Sequence, residues 1–563
     1  MATFTRHYPN WPPFVPKSLS VPRTSVYYNL EVSATRYPDK AAIDYYGTEV
    51  SYSRLKREVD ALAGWLQQRC GVKKGDRVLL YAQNGVHFIA GYYGILRADA
   101  VVVPVNPMNL TEELEHYVED AGARVLITTQ ELAPRATPLV RPGLLEHVIV
   151  GAHSEYLLPQ TDLPVPEFVR APFAVDETPG VTGWSTVIGG ALAPGASRTG
   201  PDDLAVMPYT SGTTGKPKGC MHTHSTVLAT STSGCHWRGS SSGAVVLAVL
   251  PMFHVTGMQG GMNAPIQIGG KMVVMTRWDR DCAAMQIERA RVTSFTSITT
   301  MMVDFLGNPN LSKYDLSSLN TLAGGGAAMP EALAKKLVAR LGLEFIEGYG
   351  LTETMAPTHS NPPHRPKKQC AGIPIFDTDA RVLDPESKRE LGPNEVGELV
   401  MHGPQIFKGY WNQPEATAEA FIEHDGKTFF RSGDLGYYDE EGYFFITDRL
   451  KRMINASGFK VWPAEVEAML YAHPDIREAC IIGTRDPYRG ETVKALVVLE
   501  QAARGRVKPE DITAWAHERM AAFKVPRVVE FVDELPKTAT GKVFWRKLQE
   551  QEAARAKRSG EKP

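Results

Sequence analysis

Residues 209–219 read Tyr-Thr-Ser-Gly-Thr-Thr-Gly-Lys-Pro-Lys-Gly and follow directly on the apolar run 204–207. Glycines at 212, 215 and 219 permit positive φ and close backbone approach, so successive N–H groups can turn inward around an anion. Ser211, Thr213 and Thr214 add short hydroxyl donors, and Lys216 and Lys218 supply charge. The nucleoside-triphosphatase loop needs Ser or Thr after the lysine of Gly-x-x-x-x-Gly-Lys, and here Pro217 follows Lys216. The stretch is a phosphate loop of another kind, and the rest of the chain is organised around it.

Apolar runs alternate with helical periodicity on both sides of the loop. Residues 77–82, 101–105 and 124–128 read as strands and 86–96 as a helix, and Asn109 with Glu112 three residues on marks a helix N-cap and its capping partner. After the loop, 244–250, 271–275, 292–297 and 321–323 read as strands and 330–340 as a helix. This alternation implies βαβ units and mainly parallel sheets. The first 25 or so residues, with Pro9, Pro12, Pro13, Pro16 and Pro22, form an extended arm, and 153–201, rich in Pro and Gly, is a long surface connection.

Turn punctuation over 381–400 marks a smaller β-rich subdomain. After Asp448-Arg-Leu-Lys451 the chain starts afresh, with helices from Pro463 and Pro509 and strands at 479–483, 495–499 and 528–532. That is a compact α+β domain, and the last fifteen residues are charged and expected to fray. At 563 residues the chain exceeds the roughly 250 to 300 that one core supports. The expected fold is α/β: a large N-terminal domain over 1–447 of layered, mostly parallel sheets with a small β-rich subdomain, then a small α+β domain over 452–563.

With 61 basic against 63 acidic residues, the net charge of -2 gives no general pull toward nucleic acid or anionic membrane, so any anion site is local. The N-terminal residues lack a signal-peptide core and no apolar run approaches about 18 residues, which points to a cytoplasmic protein. Six scattered cysteines, at 70, 220, 235, 282, 370 and 480, form no Cys-x-x-Cys pair and are expected to be reduced. Cys220 follows the loop but has no neighbouring base to activate it.

Further motifs follow in order: Ala323-Gly-Gly-Gly-Ala-Ala328, side-chain-free backbone after a strand; Tyr349-Gly-Leu-Thr-Glu-Thr354, an aromatic plate joined to a hydroxyl and a carboxylate; Ser432-Gly-Asp-Leu-Gly436, a carboxylate between glycines, with Arg449 fifteen residues on. With the loop, these stretches resemble the adenylate-forming (AMP-binding) superfamily of acyl-CoA synthetases, luciferases and peptide-synthetase adenylation domains, over about residues 28–548.

The resemblance implies ATP, Mg²⁺ and coenzyme A as cofactor and co-substrates, with Thr210, Ser211, Gly212, Thr213, Thr214 and Lys218 around the phosphates. Gly325, Gly326, Ala327 and Tyr349 would then frame adenine, and Asp434 with Arg449 the ribose. Thr352 would bond the α-phosphate and Glu353 hold Mg²⁺, a hard cation that binds through one or two carboxylates plus substrate phosphates. Lys542, in Lys537-Thr-Ala-Thr-Gly-Lys542, resembles the adenylation lysine; Gly458, Phe459 and Lys460 resemble the pantetheine loop, and Phe523 and Arg527 the nucleotide end of the CoA site, although Val525 stands where some relatives have a third contact. The family rotates its C-terminal domain between two half-reactions, and the resemblance implies a hinge at 448–451 with Lys451 as its pivot.

Pro251-Met-Phe-His-Val-Thr-Gly-Met258 resembles the segment bounding the acyl pocket, with His254, Gly257, Met258 and Gly324 as pocket residues. Where amino-acid-activating relatives place an aspartate, this chain has His254 after Phe253, which argues for a plain carboxylic acid. Glycines 257, 260 and 261 with methionines 252, 258, 262, 301 and 302 favour a medium- or long-chain fatty acid. An aryl or short-chain acid is the alternative on the same scaffold. A regulatory nucleotide-binding protein would be expected to have lost Lys542 or Glu353, and both are present.

Overall fold

A computed structural model describes residues 3–174, 178–210, 217–326, 329–456, 459–486, 490–538 and 543–558. The chain divides into two compact units, one gathering Met1–Ala380, Met401–Arg431 and Glu440–Phe444, the other Arg381–Val400, Ser432–Asp439 and Phe445–Pro563.

The first unit is built on two large sheets. The nine-stranded sheet runs, edge to edge, Ile373–Pro374, His359–Ser360, Phe345–Tyr349, Thr321–Gly325, Ser294–Ser297, Val245–Ala248, Lys271–Val274, Ala41–Tyr45 and Thr48–Ser51. Its six central strands are parallel. The seven-stranded sheet runs His222–Thr223, Leu204–Val206, Val101–Pro104, Arg77–Tyr81, Val125–Thr129, His147–Gly151 and Val181–Gly183, parallel except for the first pair. Runs such as Val101-Val-Val-Pro104 are buried on both faces, as strands covered on two sides must be. The helix Val86–Arg97 buries every residue from Val86 to Leu96, because it lies within the largest core rather than on the surface.

Three expectations for this unit change. The helix after Val105 is Thr111–Ala121, and its N-cap is Leu110, whose N–H donates to Glu113 Oε2 at 2.8 Å. Asn109 is drawn away from capping by tertiary partners: its carbonyl accepts the Tyr81 hydroxyl at 2.6 Å and Arg135 at 3.2 Å. Residues 153–201 are more than a surface connection, since Val181–Gly183 extends the seven-stranded sheet and Trp184 is buried with its Nε1–H on the Tyr156 hydroxyl at 2.9 Å. The N-terminal arm is docked: the Phe4 N–H donates to Asp379 at 3.0 Å, and Trp11 meets Trp237 edge-on at 4.9 Å between ring centres.

In the second unit, a sheet runs Phe459–Val461, Ile454–Ala456, Gly490–Leu499 and Ile476–Asp486, with Val528–Phe531 parallel to Gly490–Leu499. Helices Pro463–Leu470 and Pro509–His517 cover a core that includes Val466, Ile481, Val497 and Ile512. The chain's last stretch is not frayed through 549–558, because the helix Trp545–Arg558 docks by its polar groups. Gln549 exchanges two hydrogen bonds with the Gly483 backbone, at 2.8 and 3.0 Å. Buried Lys494 finds Glu552 at 2.6 Å and Glu530 at 2.8 Å, the pairing that a buried ammonium requires.

Four buried histidines of the first unit are held neutral. Burial lowers His7 and His359 to about 3 and His222 and His224 to about 4. The ordinary value is 6.5, so below that pH the unfolded chain binds protons that the folded chain refuses. Stability that is whole above pH 6.5 is therefore lost as pH falls toward 4, by about 1 kcal/mol per histidine per pH unit. Urea-unfolding midpoints measured downward from about neutral pH are expected to drop steeply once the unfolded histidines begin to titrate. A flat profile would mean that these rings are charged in the folded protein.

Candidate active site

The phosphate loop closes a hairpin. Tyr209–Thr210 pairs antiparallel with Lys218–Gly219, in the register Lys218 to Thr210 and Gly219 to Tyr209. The loop itself, with Ser211, Gly212, Thr213, Thr214 and Lys216, lies outside the described residues. Its base is anchored on both sides. The Tyr209 hydroxyl donates to Asp120 at 2.6 Å. The outgoing strand is stitched to a distant segment: Trp411 N–H to the Gly219 carbonyl at 2.8 Å, Met221 N–H to Gly409 at 3.0 Å and Lys408 N–H to Met221 at 2.9 Å. Cys220, directly after this strand, is buried, and burial raises its thiol well above the ordinary value, so it is a packing residue.

That segment also reaches the carboxylate motif. Glu353 sits in the short 3-10 turn Thr352–Thr354, which the Thr354 hydroxyl caps by accepting the Leu351 N–H at 2.9 Å. Its carbonyl accepts the Phe407 N–H at 2.9 Å, and its Oε1 accepts the Tyr410 hydroxyl at 2.8 Å. Lys218 Nζ stands 4.9 Å from the centre of the same Tyr410 ring. The Thr352 carbonyl accepts His222 Nε2–H at 2.8 Å. Tyr349 ends the strand leading into this turn, half-buried, with its ring 5.8 Å from that of His359. Tyr349, Thr352 and Glu353 thus lie at and just beyond the C-terminal end of the parallel strand Phe345–Tyr349, where parallel sheets bind ligands, and Tyr410 links Glu353 to Lys218 of the hairpin.

For Mg²⁺ this donor set fits. Among the described residues no group of three His, Cys, Asp or Glu side chains stands together to hold a metal. Glu353 is a half-buried carboxylate with a neutral hydroxyl on its Oε1, and Mg²⁺ takes most of its ligands from phosphate and water, so one protein carboxylate is enough.

The glycine run ends the strand Thr321–Gly325, with Gly324 opposite Glu347 and Gly325 opposite Gly348. A Cβ on Gly324 would lie 2.1 Å from the Ser297 carbonyl oxygen, and one on Gly325 2.4 Å from that of Gly348. Neighbouring backbone therefore demands these two glycines before any ligand does. Gly326 follows at φ 90°, and Ala327 lies outside the described residues. At the acyl-pocket motif, His254 caps the turn Val255–Met258 by accepting the Thr256 N–H at 3.4 Å. A π-helical turn, Gln259–Asn263, continues it, a form enriched at functional sites. Met252, Met258, Met262 and Met302 are all buried in the main core, and Gly257 is dictated by the Pro251 carbonyl, 2.2 Å from where its Cβ would stand.

In the second unit, Asp434 is buried and Arg449 Nε meets its Oδ1 at 2.5 Å, while the Asp434 N–H donates to Ser432 Oγ at 3.0 Å. Asp448 accepts the Ala464 N–H at 2.7 Å, and Arg452 pairs with Glu467 at 2.5 Å, which ties both flanks of Lys451 to the helix Pro463–Leu470. Phe459 and Lys460 lie on the strand Phe459–Val461, opposite Ala456 and Asn455. Phe523 packs against the core of this unit and Arg527 donates its backbone N–H to Val493 at 3.0 Å. Gly458 and Lys542 are outside the described residues, but Lys537 and Val543 bridge antiparallel across the base of the Lys542 loop.

Sequence reasoning passes over His222 and Tyr410. The run Gly409-Tyr-Trp411, with Gly409 at φ 134°, was the available signal for the second.

The family profile described as AMP-binding enzyme matches residues 30–411, and that described as AMP-binding enzyme C-terminal domain matches 465–542. The chain is 36% identical over 550 residues to a long-chain-fatty-acid–CoA ligase of Bacillus subtilis (strain 168), covering 96% of this chain and 97% of that one. It is 35% identical over 510 residues to a feruloyl-CoA synthase of an Amycolatopsis species, covering 90% and 95%. The crystal structure of ATP-bound MatB from Rhodopseudomonas palustris superposes with a TM-score of 0.82 at 28% identity, covering 94% of this chain and 99% of that one.

The glycine geometry is testable without a ligand. Gly324→Ala and Gly325→Ala are each expected to destabilise the fold by about 2 kcal/mol or more. Gly261→Ala, whose Cβ would meet Ala248 alone, at 3.4 Å from its Cβ and 3.7 Å from its Cα, should change little. Equal melting temperatures for the three variants, measured without nucleotide, would contradict this reading.

Proposed function

Since this chain belongs to the AMP-binding enzyme family and is an AMP-forming acyl-CoA ligase, we propose that the acid it activates is a medium- or long-chain fatty acid. One observation carries the choice: glycines 257, 260 and 261 and methionines 252, 258 and 262 crowd the stretch around the acyl-pocket motif, while His254 after Phe253, where a carboxylate would pair a substrate ammonium, argues for a plain carboxylic acid. The likeness to a long-chain-fatty-acid–CoA ligase supports it. The likeness to a feruloyl-CoA synthase at nearly the same identity favours a second reading, an aryl acid.

In the first half-reaction a carboxylate oxygen of the acid attacks the α-phosphorus of ATP. The bond to the β-phosphate oxygen breaks, and acyl-AMP and pyrophosphate result. The CoA thiol then attacks the acyl carbon, loses its proton, and displaces AMP. Charge builds on phosphate oxygens in the first step, so aimed cations and N–H donors are the main catalytic resource, and losing one costs about 10²- to 10³-fold. Lys218, the loop N–H groups and Lys542 are assigned that work, and Thr352 the α-phosphate. Glu353 would hold Mg²⁺, which when bound would supply positive charge toward the phosphates. Tyr349, Gly325, Gly326 and Ala327 are assigned to adenine, Asp434 and Arg449 to ribose, and His254, Gly257, Met258 and Gly324 to the acyl chain. For the second step, Gly458, Phe459, Lys460, Phe523 and Arg527 are assigned to CoA, with Lys451 as the hinge between half-reactions.

CoA-dependent AMP release across a panel of acids is expected to rise from acetate to octanoate or beyond, with amino acids inert. A higher kcat/KM for ferulate or benzoate than for any fatty acid would replace the fatty-acid reading with the aryl one.

Lys542→Ala is expected to cut acyl-AMP formation by about 10²-fold or more. Thioester formation from synthetic acyl-AMP and CoA should survive, because the lysine serves the first half-reaction. Equal losses in both assays would remove the half-reaction assignment.

A further inference from the structure

We propose that Tyr410 is a positioning residue for nucleotide binding, holding the Glu353 carboxylate in place for Mg²⁺ with its hydroxyl and the Lys218 ammonium in place for phosphate with its ring. The inference rests on the reading of Glu353 as the metal carboxylate. Tyr410 is the point where two motifs meet. Its hydroxyl donates to Glu353 Oε1 at 2.8 Å, and its ring centre lies 4.9 Å from Lys218 Nζ.

The chemistry of the hydroxyl suits this task. A phenol can orient a carboxylate through one hydrogen bond without itself bringing a cation that would compete with the metal. The ring suits the other half: its π face attracts an ammonium without fixing it by a salt bridge, so the charge stays available to phosphate. Tyr410 is itself held by contacts that do not involve its hydroxyl. Its N–H donates to Thr417 Oγ1 at 2.9 Å, it forms a bridge with Cys220, and its ring meets that of Phe407 edge-on at 4.9 Å. Tyr410→Phe therefore removes the hydrogen bond to Glu353 and keeps the backbone and the aromatic face.

The experiment measures calorimetric affinity for a non-hydrolysable α,β-methylene ATP, with Mg²⁺ and with EDTA, in full-length protein. Wild type, Glu353→Gln, Tyr410→Phe and Tyr410→Leu are compared, with melting temperatures to confirm folding. Wild type is expected to bind more tightly with Mg²⁺. Glu353→Gln should abolish that preference. Tyr410→Phe should weaken Mg²⁺-dependent binding by about 10-fold, the scale of a hydrogen bond to a charged group, and leave binding in EDTA within about two-fold. Tyr410→Leu, which also loses the face beneath Lys218, should weaken binding in EDTA as well. Raised Mg²⁺ should restore turnover to Tyr410→Phe and not to Glu353→Gln.

Each other outcome has one meaning. If Glu353→Gln keeps the Mg²⁺ preference, the metal assignment fails. If Glu353→Gln loses it and Tyr410→Phe keeps it, the metal assignment stands and the role of the Tyr410 hydroxyl is overturned. If Tyr410→Phe loses affinity equally with and without Mg²⁺, Tyr410 is a structural residue only. If Tyr410→Leu binds in EDTA as wild type does, the ring has no part in placing Lys218.

Discussion

A loop of glycines and hydroxyls can gather N–H groups around an anion only if its two ends are fixed, and here that fixing is a backbone matter. The three hydrogen bonds joining Gly219 and Met221 to residues 408–411 hold the outgoing strand. The antiparallel register of Thr210 and Lys218 holds the incoming one. Because the stitching segment continues into Phe407 and Tyr410, the bonds that fix the phosphate hairpin also locate the Glu353 turn. A charge pair across the same gap would be weaker in water and would consume the charges the site needs. Backbone pairing fixes the hairpin without calling on Lys218 or Glu353 to do it.

The sheets were legible in the sequence because their signal is local. Runs such as Val101-Val-Val-Pro104 have no other reading than a strand buried on both faces. What could not be read is where tertiary partners outbid a local preference. Asn109 is a good capping residue, yet Tyr81 and Arg135 claim its carbonyl, and the helix begins one residue later than Asn109 and Glu112 imply. The C-terminal stretch looks too charged to pack, but its Gln549 and Glu552 answer polar groups of the strands Ile476–Asp486 and Gly490–Leu499. The Pro- and Gly-rich stretch before the loop hides an edge strand and a buried tryptophan, since composition averages over single residues that anchor a segment.

Within the site, legibility follows a different rule. Residues whose chemistry is unusual for their setting, such as Glu353 in a turn or Lys218 in a stretch of glycines and hydroxyls, announce themselves. Residues that act on other side chains do not: Tyr410 and His222 become meaningful only when the fold brings Glu353 and Thr352 to them. The glycines mislead in the opposite direction. Gly324 and Gly325 look reserved for a ligand, and the sheet already forbids a side chain at both.

The same asymmetry explains why the reaction class can be read from this chain more sharply than the acid. Phosphate, metal and ammonium each need a countercharge, which a sequence displays, and a misplaced one costs several kcal/mol. An apolar tail needs only volume. The methionines that would wall an acyl pocket are buried in the main core under the same packing rules as Leu62 or Ile266, so nothing in their type separates the two roles. Each methylene of a substrate is worth only about 1–3 kcal/mol in a hydrophobic pocket. The π-helical turn Gln259–Asn263 continues the methionine-bearing segment. Asn263 fixes that turn through buried bonds to Tyr92, Tyr93 and Gln259, at 3.2, 2.8 and 3.3 Å. The turn is thus held in place by buried polar side chains rather than by its apolar ones, and neither group carries a sequence mark that names an acid.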